Sequence, residues 1–356
     1  MASATGADLI KNVTIKNLTV FDNARIRPSR GLNVIVGENG TGKTHLLKLL
    51  YCIVYTLGRD RKPGAAQPTK ASLQVALAEK LVNVFRPDTL GRIARRRQGR
   101  ERCDIKVTFD QKTSNVAFGF ATNSKSEVQL TRVPEEWLRG SSVYLPTREL
   151  LSIFPNFVSI YEGHYLELEE TWRDLAILLG APLSRGPKEA LIHELLQPLE
   201  RAMEGWIVLD RSGRFYLQNA SGKMEMPLVA EGLRKLGMVA RLVATGALIG
   251  KGYLFWDEPE SNLNPRLVAQ VARTILDLSN SGIQVFIATH SLFLLREIEL
   301  IRLASGPECD LQFFGLTKCE GSVEIEQSDD VGDLRCIAAL EEELSQSDRF
   351  LEAQND

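Results

Sequence analysis

No stretch of the 356 residues approaches the roughly 18 uninterrupted apolar residues that a membrane-spanning helix requires. The opening stretch MASATGADLIKNVT also lacks the apolar core of a secretion signal. A cytoplasmic protein without membrane contact is the expectation. The 5 cysteines, Cys52, Cys103, Cys309, Cys319 and Cys336, are odd in number and form no C-x-x-C pair. That pattern argues against a disulfide framework and against structural zinc, and favours buried reduced thiols. Neither charge dominates: 43 Lys+Arg face 45 Asp+Glu, a net charge of -2, which excludes a uniformly basic nucleic-acid binder but not a local patch. What is there is a globular composition, 44% hydrophobic and 25% charged, with enough length for one large domain with insertions or two modest ones. No internal repeat or low-complexity tract interrupts it.

The apolar runs VTIKNLTVF and LNVIV predict strands leading into the loop GENGTGKT, and HLLKLLYCIVYTL after it predicts a helix packed on a sheet. Residues 58–70 collect Gly, Pro and charge. From residue 71 an amphipathic helix is expected, then a short basic one in which Arg92, Arg95, Arg96, Arg97, Arg100 and Arg102 cluster. Strand patterns return in CDIKVTFD, SNVAFGFAT and SSVYLP, helical ones from about 148 to 204, and WIVLD, RFYLQ and KMEMP read as a meander. Thereafter helices alternate with the apolar strands YLFW and GIQVFIATH, which implies an α/β fold with a mostly parallel sheet covered on both faces.

Gly37-Glu38-Asn39-Gly40-Thr41-Gly42-Lys43-Thr44 fits the phosphate-loop pattern G-x-x-x-x-G-K-[ST] and stands between a strand and a helix, the context that pattern demands. Glycines let the backbone wrap a phosphate chain with its N–H groups pointing inward, and the helix that opens at Lys43, Thr44 and His45 adds the positive end of its dipole. Lys43 is then placed to reach the β- and γ-phosphates and the Thr44 hydroxyl to ligate Mg²⁺. Two carboxylates, Asp257 and Glu258, end the apolar strand YLFW, where unused charge is costly. Asp257 suits the metal and Glu258 the attacking water. His290 ends the next buried strand; alone, a strand-end histidine is more often structural than catalytic.

In this order the phosphate loop, the Asp257-Glu258-Pro259 strand end, the run Ser261-Asn262-Leu263-Asn264 and His290 resemble the ABC-type ATPase heads of the RecF, SMC and OLD-like group. The resemblance spans residue 10 to about 300. It implies a P-loop NTPase head with a mixed or parallel sheet flanked by helices, covering residues 1–320. Helical insertions are expected at about 58–102 and 148–204, with an acidic helical tail over 321–356. ATP and Mg²⁺ are the implied cofactors and a homodimer enclosing two ATP molecules the implied assembly. His290 becomes the switch histidine and Ser261 to Asn264 the loop that crosses the dimer.

Val229-Ala230-Glu231-Gly232-Leu233 is the candidate signature, with Ala230 where the group has serine and Gly232 near the helix start. The missing hydroxyl removes one charge-assisted hydrogen bond, worth roughly 1–3 kcal/mol, so weak dimerisation and slow or partner-dependent turnover are expected. No glutamine follows SSVYLP; Arg148 or Glu149 replaces it or merely opens the next helix. Phe21, Arg25 and Arg27 are candidates for the adenine, Phe21 more readily as core.

YLPTRELLSIFPNF, LVAEGLRKLG, FWDEPESNLNP and VFIATHSLFLLRE resemble the stand-alone OLD-like ATPases. The resemblance implies a switch that controls a nuclease or toxin encoded in trans, in anti-phage defence, because too little chain follows His290 for a fused nuclease. QSDDVGD in the tail reads as a polar turn. A RecF-like DNA-binding ATPase and a non-hydrolysing ATP-binding scaffold remain as alternatives. The arginines from Arg92 to Arg102 fit DNA, an acidic protein or a solvated helix face.

Overall fold

The computed structural model describes residues 8–58, 67–95, 101–163, 167–250, 252–305, 310–335 and 338–355. The chain opens with strands β1 (Ile10–Leu18), β2 (Phe21–Ile26) and β3 (Leu32–Gly37), then helices α1 (Lys43–Gly58) and α2 (Lys70–Phe85). Four strands follow, β4 (Arg102–Phe109), β5 (Val116–Ala121), β6 (Gln129–Arg132) and β7 (Ser141–Leu145). Helices α3 (Phe157–Glu162), α4 (Glu170–Gly180) and α5 (Glu189–Met203) lead to β8 (Trp206–Leu209), β9 (Phe215–Asn219) and β10 (Gly222–Glu225). The remainder runs α6 (Glu231–Ala244), β11 (Gly252–Asp257), α7 (Pro265–Asn280), β12 (Ile283–Thr289), α8 (Leu292–Ser305), β13 (Leu311–Cys319), β14 (Ser322–Ser328) and α9 (Ala338–Asn355).

Among the described residues three sheets result. The central one has the order β14-β13-β3-β12-β11-β7 and is parallel except for β14. Its strands read as continuous apolar runs because both faces are covered. Val34, Leu254, Trp256, Val285 and Ile287 point into one core with α4 to α7, while Ile35, Tyr253, Phe255, Phe286 and Ala288 point into a second. The second core is closed by an antiparallel sheet, β2-β1-β4-β5-β6, so α1 lies buried between two sheets. That sandwich explains why α1 is apolar on every side, from Leu46 and Leu47 through Tyr51 to Val54. The third sheet is the meander β10-β9-β8.

Several expectations change. VTIKNLTVF is not one strand, since Asn17 and Thr19 turn the chain at φ 53° and 45°. The short basic helix is absent among the described residues: α2 stops at Arg86 in the left-handed region and only a 3₁₀ turn, Leu90–Ile93, follows. Arg96, Arg97 and Arg100 lie outside the described residues, as do Cys309 and Cys336. β14 pairs with β13 in the central sheet, so the sheet continues beyond residue 320, where a helical tail was expected to begin. Its alternating polar residues conceal a strand covered on one face only. QSDDVGD is the anticipated polar turn, in which the Asp330 carboxylate accepts from Gly332 N.

α1, α2 and α4 are locked by a buried polar knot. Asp174 accepts from the Tyr51 hydroxyl at 2.6 Å and the Tyr55 hydroxyl at 3.2 Å, and pairs with Lys80, whose ammonium lies 3.4 Å from the centre of the Tyr55 ring. Both charged side chains are 4% exposed, and removing Asp174 leaves the buried Lys80 ammonium with only Glu170, at 3.3 Å, as counter-charge. Asp174→Ala should lower the unfolding free energy in urea by about 3–5 kcal/mol, and pairing Asp174→Leu with Lys80→Met should cost markedly less.

Candidate functional site

β3 delivers Gly37 to a loop whose shape is dictated by what surrounds it. At Gly37 a Cβ would lie 2.6 Å from the Leu316 carbonyl oxygen, and at Gly42, where φ is +90°, it would lie 2.6 Å from Val20 and 2.9 Å from Phe21. Only glycine allows the loop to sit this low on the β1–β2 turn. The Thr41 hydroxyl donates to the Glu38 carbonyl at 2.8 Å and braces the loop. Lys43 folds inward and donates to the carbonyls of Gly37 at 2.7 Å and Glu38 at 2.9 Å. Burial lowers its pKa, opposed by the nearby carboxylates of Glu258, Asp257 and Glu260. Asn39 and Gly40 are exposed on the rim. The His45 ring turns to Phe85, 5.7 Å between centroids, so only its backbone belongs to the loop's helix start.

Parallel pairing of β3, β12 and β11 carries the distant residues to the same edge. The Thr44 hydroxyl donates to both oxygens of Asp257, at 3.1 and 2.9 Å. Burial, and to a smaller degree the neighbouring Glu258, raise Asp257 to about 6, while the Thr44 hydrogen bond works the other way. The buried Tyr144 hydroxyl faces the same carboxylate, and its pKa rises through burial first and Asp257 next. Glu258 turns the chain at φ 46°, an uncommon conformation for this residue type, and its side chain meets His290 Nδ1 at 3.2 Å. The Thr289 hydroxyl donates to Glu260 at 2.6 Å, tying the His290 strand end to the segment after Glu258. Lys43, Thr44, Asp257, Glu258 and His290 therefore converge.

The other expected residues scatter. Ala230 caps α6 without a side-chain bond. Gly232 is buried against Leu263 and Leu267, so it serves packing. The loop 261–264 is held by its own chain: Asn262 Nδ2 donates to Glu231 at 2.9 Å, and the Asn264 side chain caps α7. Glu149 does not reach the phosphate loop. It pairs with Arg234 of α6 at 2.8 Å and accepts from Ser152, and Arg148 is exposed. Phe21 is fully buried beneath Gly42, and Arg25 and Arg27 point to solvent. Within the arginine cluster, Arg92 is half exposed beside Asp88 at 3.4 Å, Arg95 is buried and Arg102 is paired with Asp104 at 2.7 Å.

Two lysines escaped sequence reasoning. Lys48, one turn beyond Thr44, pairs with Glu169 at 2.5 Å. Lys235, 2% exposed, donates to the Glu258 carbonyl at 2.8 Å and to the Ser261 hydroxyl at 2.6 Å, and that hydroxyl donates to the Thr147 carbonyl at 3.1 Å. It splints the strained Glu258 turn to α6. The only signal for it was a lysine inside the apolar repeat of LRKLGMVA.

The donor set suits a hard divalent cation. Thr44 and Asp257 offer oxygens only, and burial, the main cause of the raised Asp257, is what a bound cation would offset. Few protein ligands beside a phosphate site is the Mg²⁺ pattern.

Burial holds Lys235 down to about 8 against an ordinary 10.5. Between those values the unfolded chain binds more protons than the folded one, so this group adds stability as pH rises through the window and loses it as pH falls through about 8. The stability difference between the wild-type protein and Lys235→Met should widen over that range; identical pH profiles would refute the assignment.

No helix among the described residues is long and apolar enough to cross a membrane. A family model described as "AAA domain, putative AbiEii toxin, Type IV TA system" matches residues 32–296. No curated protein matches the sequence. Among solved structures, the SMC head bound to the C-winged helix domain of ScpA has a TM-score of 0.53 at 13% identity, over 92% of this chain and 99% of that one. The SMC head domain from Thermotoga maritima aligns with a TM-score of 0.49 at 13% identity, over 90% and 99%. The SMC head described with the ScpA C-terminal domain derived from Pyrococcus furiosus gives 0.49 at 13%, over 98% and 99%. With the family matched across most of its length, the chain belongs to the AAA domain family of putative AbiEii toxins of type IV TA systems, and its fold is that of an ABC-type ATPase head.

Proposed function

We propose that the protein binds ATP with Mg²⁺, hydrolyses it slowly, and uses the cycle to pair with a second copy and control a separately encoded nuclease or toxin. The observation that carries this reading is the convergence of Lys43 and Thr44 with Asp257, Glu258 and His290. Lys43 exchanges its loop carbonyls for the β- and γ-phosphates, while Thr44 and Asp257 hold the metal. A bound Mg²⁺ supplies charge neutralisation on the phosphate oxygens. Glu258 takes a proton from the attacking water, and His290, 3.2 Å from it, orients that carboxylate toward the terminal phosphate. The family description names a putative toxin of a type IV toxin–antitoxin system, in keeping with an ATPase that works within a two-component system.

Lys43→Ala should abolish nucleotide binding in calorimetry. Glu258→Gln should bind ATP normally and release phosphate at least about 100-fold more slowly, in keeping with loss of a general base. Equal, negligible turnover in wild type and Glu258→Gln would instead make the protein an ATP-binding scaffold.

Ala230 leaves the α6 N-terminus one hydroxyl short for a partner's phosphate. Ala230→Ser should tighten ATP-dependent dimerisation by about tenfold or more in analytical ultracentrifugation. An unchanged dimer constant would remove α6 from the interface.

A further inference from the structure

The meander of β8, β9 and β10 turns one face away from the core. Cross-strand pairing sets Val208 and Glu225 opposite Tyr216, and Trp206 and Lys223 opposite Gln218, so these side chains share that outer face, while Phe215 and Leu217 point inward. Trp206 is 50% exposed on it. An exposed tryptophan close to a tyrosine, with an arginine at the start of the same strand pair, is the composition that protein interfaces favour.

Where that face meets the segment after β7 lies a cavity of about 250 Å³. Leu151, Pro155, Met226 and Pro227 give it apolar walls, and Tyr216 joins it to the sheet face. It is smaller than the roughly 300–1,000 Å³ of sites for drug-sized ligands and suits one large apolar side chain. Arg214 and Glu225 line it as well; both are exposed, and among the described residues neither has an ion-pair partner. Two unpaired charges of opposite sign beside an apolar hole match an occupant that brings an apolar group flanked by one acid and one base. Ile153 and Leu228, each next in sequence to a lining residue, are 46% and 72% exposed, which carries the apolar surface beyond what a small molecule covers.

The cavity reaches α6 by two routes. Ser152, in its lining, donates from its backbone N and its hydroxyl to Glu149, at 3.1 and 2.6 Å, and Glu149 pairs with Arg234 at 2.8 Å. Arg234 also donates to the carbonyls of Met226 at 3.3 Å and Val229 at 3.1 Å. The next residue, Lys235, holds the Glu258 turn. An occupant that shifts Ser152 or Met226 therefore shifts the helix that supports Glu258.

We infer that this face docks the separately encoded partner, which seats one apolar side chain in the cavity between an acidic residue on Arg214 and a basic residue on Glu225, and that docking alters turnover through Arg234 and Lys235. The coupling rests on the ATPase reading; the docking does not.

The probes are the blocked tripeptides acetyl-Asp-Leu-Lys-amide and acetyl-Lys-Leu-Asp-amide, with alanine in place of leucine as controls, added to the full-length protein and followed by saturation-transfer NMR. One leucine peptide should bind at least about tenfold more tightly than its alanine control. Its affinity should fall about two- to fivefold in Arg214→Ala and in Glu225→Ala, and binding should vanish in Ser152→Trp, which fills the cavity. Arg214 and Glu225 are exposed, so those two variants fold whatever Ser152→Trp does. At saturation the peptide should change ATP turnover by about twofold or more. Absence of leucine-selective binding, or binding unaltered in all three variants, overturns the inference. Free leucine binding as tightly as the peptide overturns it in favour of a small-molecule site, and nucleotide-free self-association that Tyr216→Asp abolishes assigns the face to a second copy. Selective binding with unchanged turnover overturns the coupling. A wild-type protein that binds the peptide and never hydrolyses ATP is, by contrast, failure of the ATPase reading, with the docking upheld.

Discussion

The hydrogen bonds from the Thr44 hydroxyl to the Asp257 carboxylate bridge 213 positions of chain, and the site exists only because that distance is closed. They form because β3 and β11 flank β12 in parallel register, so all three strands end at one edge. A parallel sheet of this kind must be covered on both faces, and the two cores that cover it involve almost every other element. The antiparallel sheet and α1 on one side, and α4 to α7 on the other, hold three strand ends in line.

Beside the buried ion pairs such as Lys80 with Asp174, three cations donate into backbone carbonyls. Lys43 does so on Gly37 and Glu38, Lys235 on Glu258, and Arg241 on Leu179 and Ala181 at 3.0 and 2.8 Å. Carbonyls satisfy the donors without adding a neutralising charge, so the cation stays available to attract an anion. Asp257 is raised mainly by its own burial, against the pull of Thr44, Lys48 and Lys43. A site with a cation ready on one side and a buried carboxylate on the other is prepared for a phosphate and a metal together.

α6 occupies an unexpected place. Expected as a surface for a second subunit, its first turns also support the chain's own site, with Glu231 on Asn262, Arg234 on Glu149 and Lys235 on Glu258. A change at the α6 N-terminus is thereby connected to the turn that carries Glu258 and to the segment after β7. Glu149, which sequence reasoning placed beside the nucleotide or at a helix start, is one of these connections.

Local patterns made much of the molecule legible. The phosphate loop needs glycines at fixed steps and a strand and helix on either side, and apolar runs ending in Asp257-Glu258 and His290 announce buried strands whose polar ends have a purpose. These are short-range requirements, so neighbouring residues suffice to state them. The place of β13 beside β3 and the burial of Arg95 depend on partners scores or hundreds of positions away, and the splint made by Lys235 on partners 23 and 26 positions on. A lysine has the same letter whether solvated or sealed beneath a strained turn. Only the tertiary packing decides, because what its ammonium meets is set by which strands lie side by side.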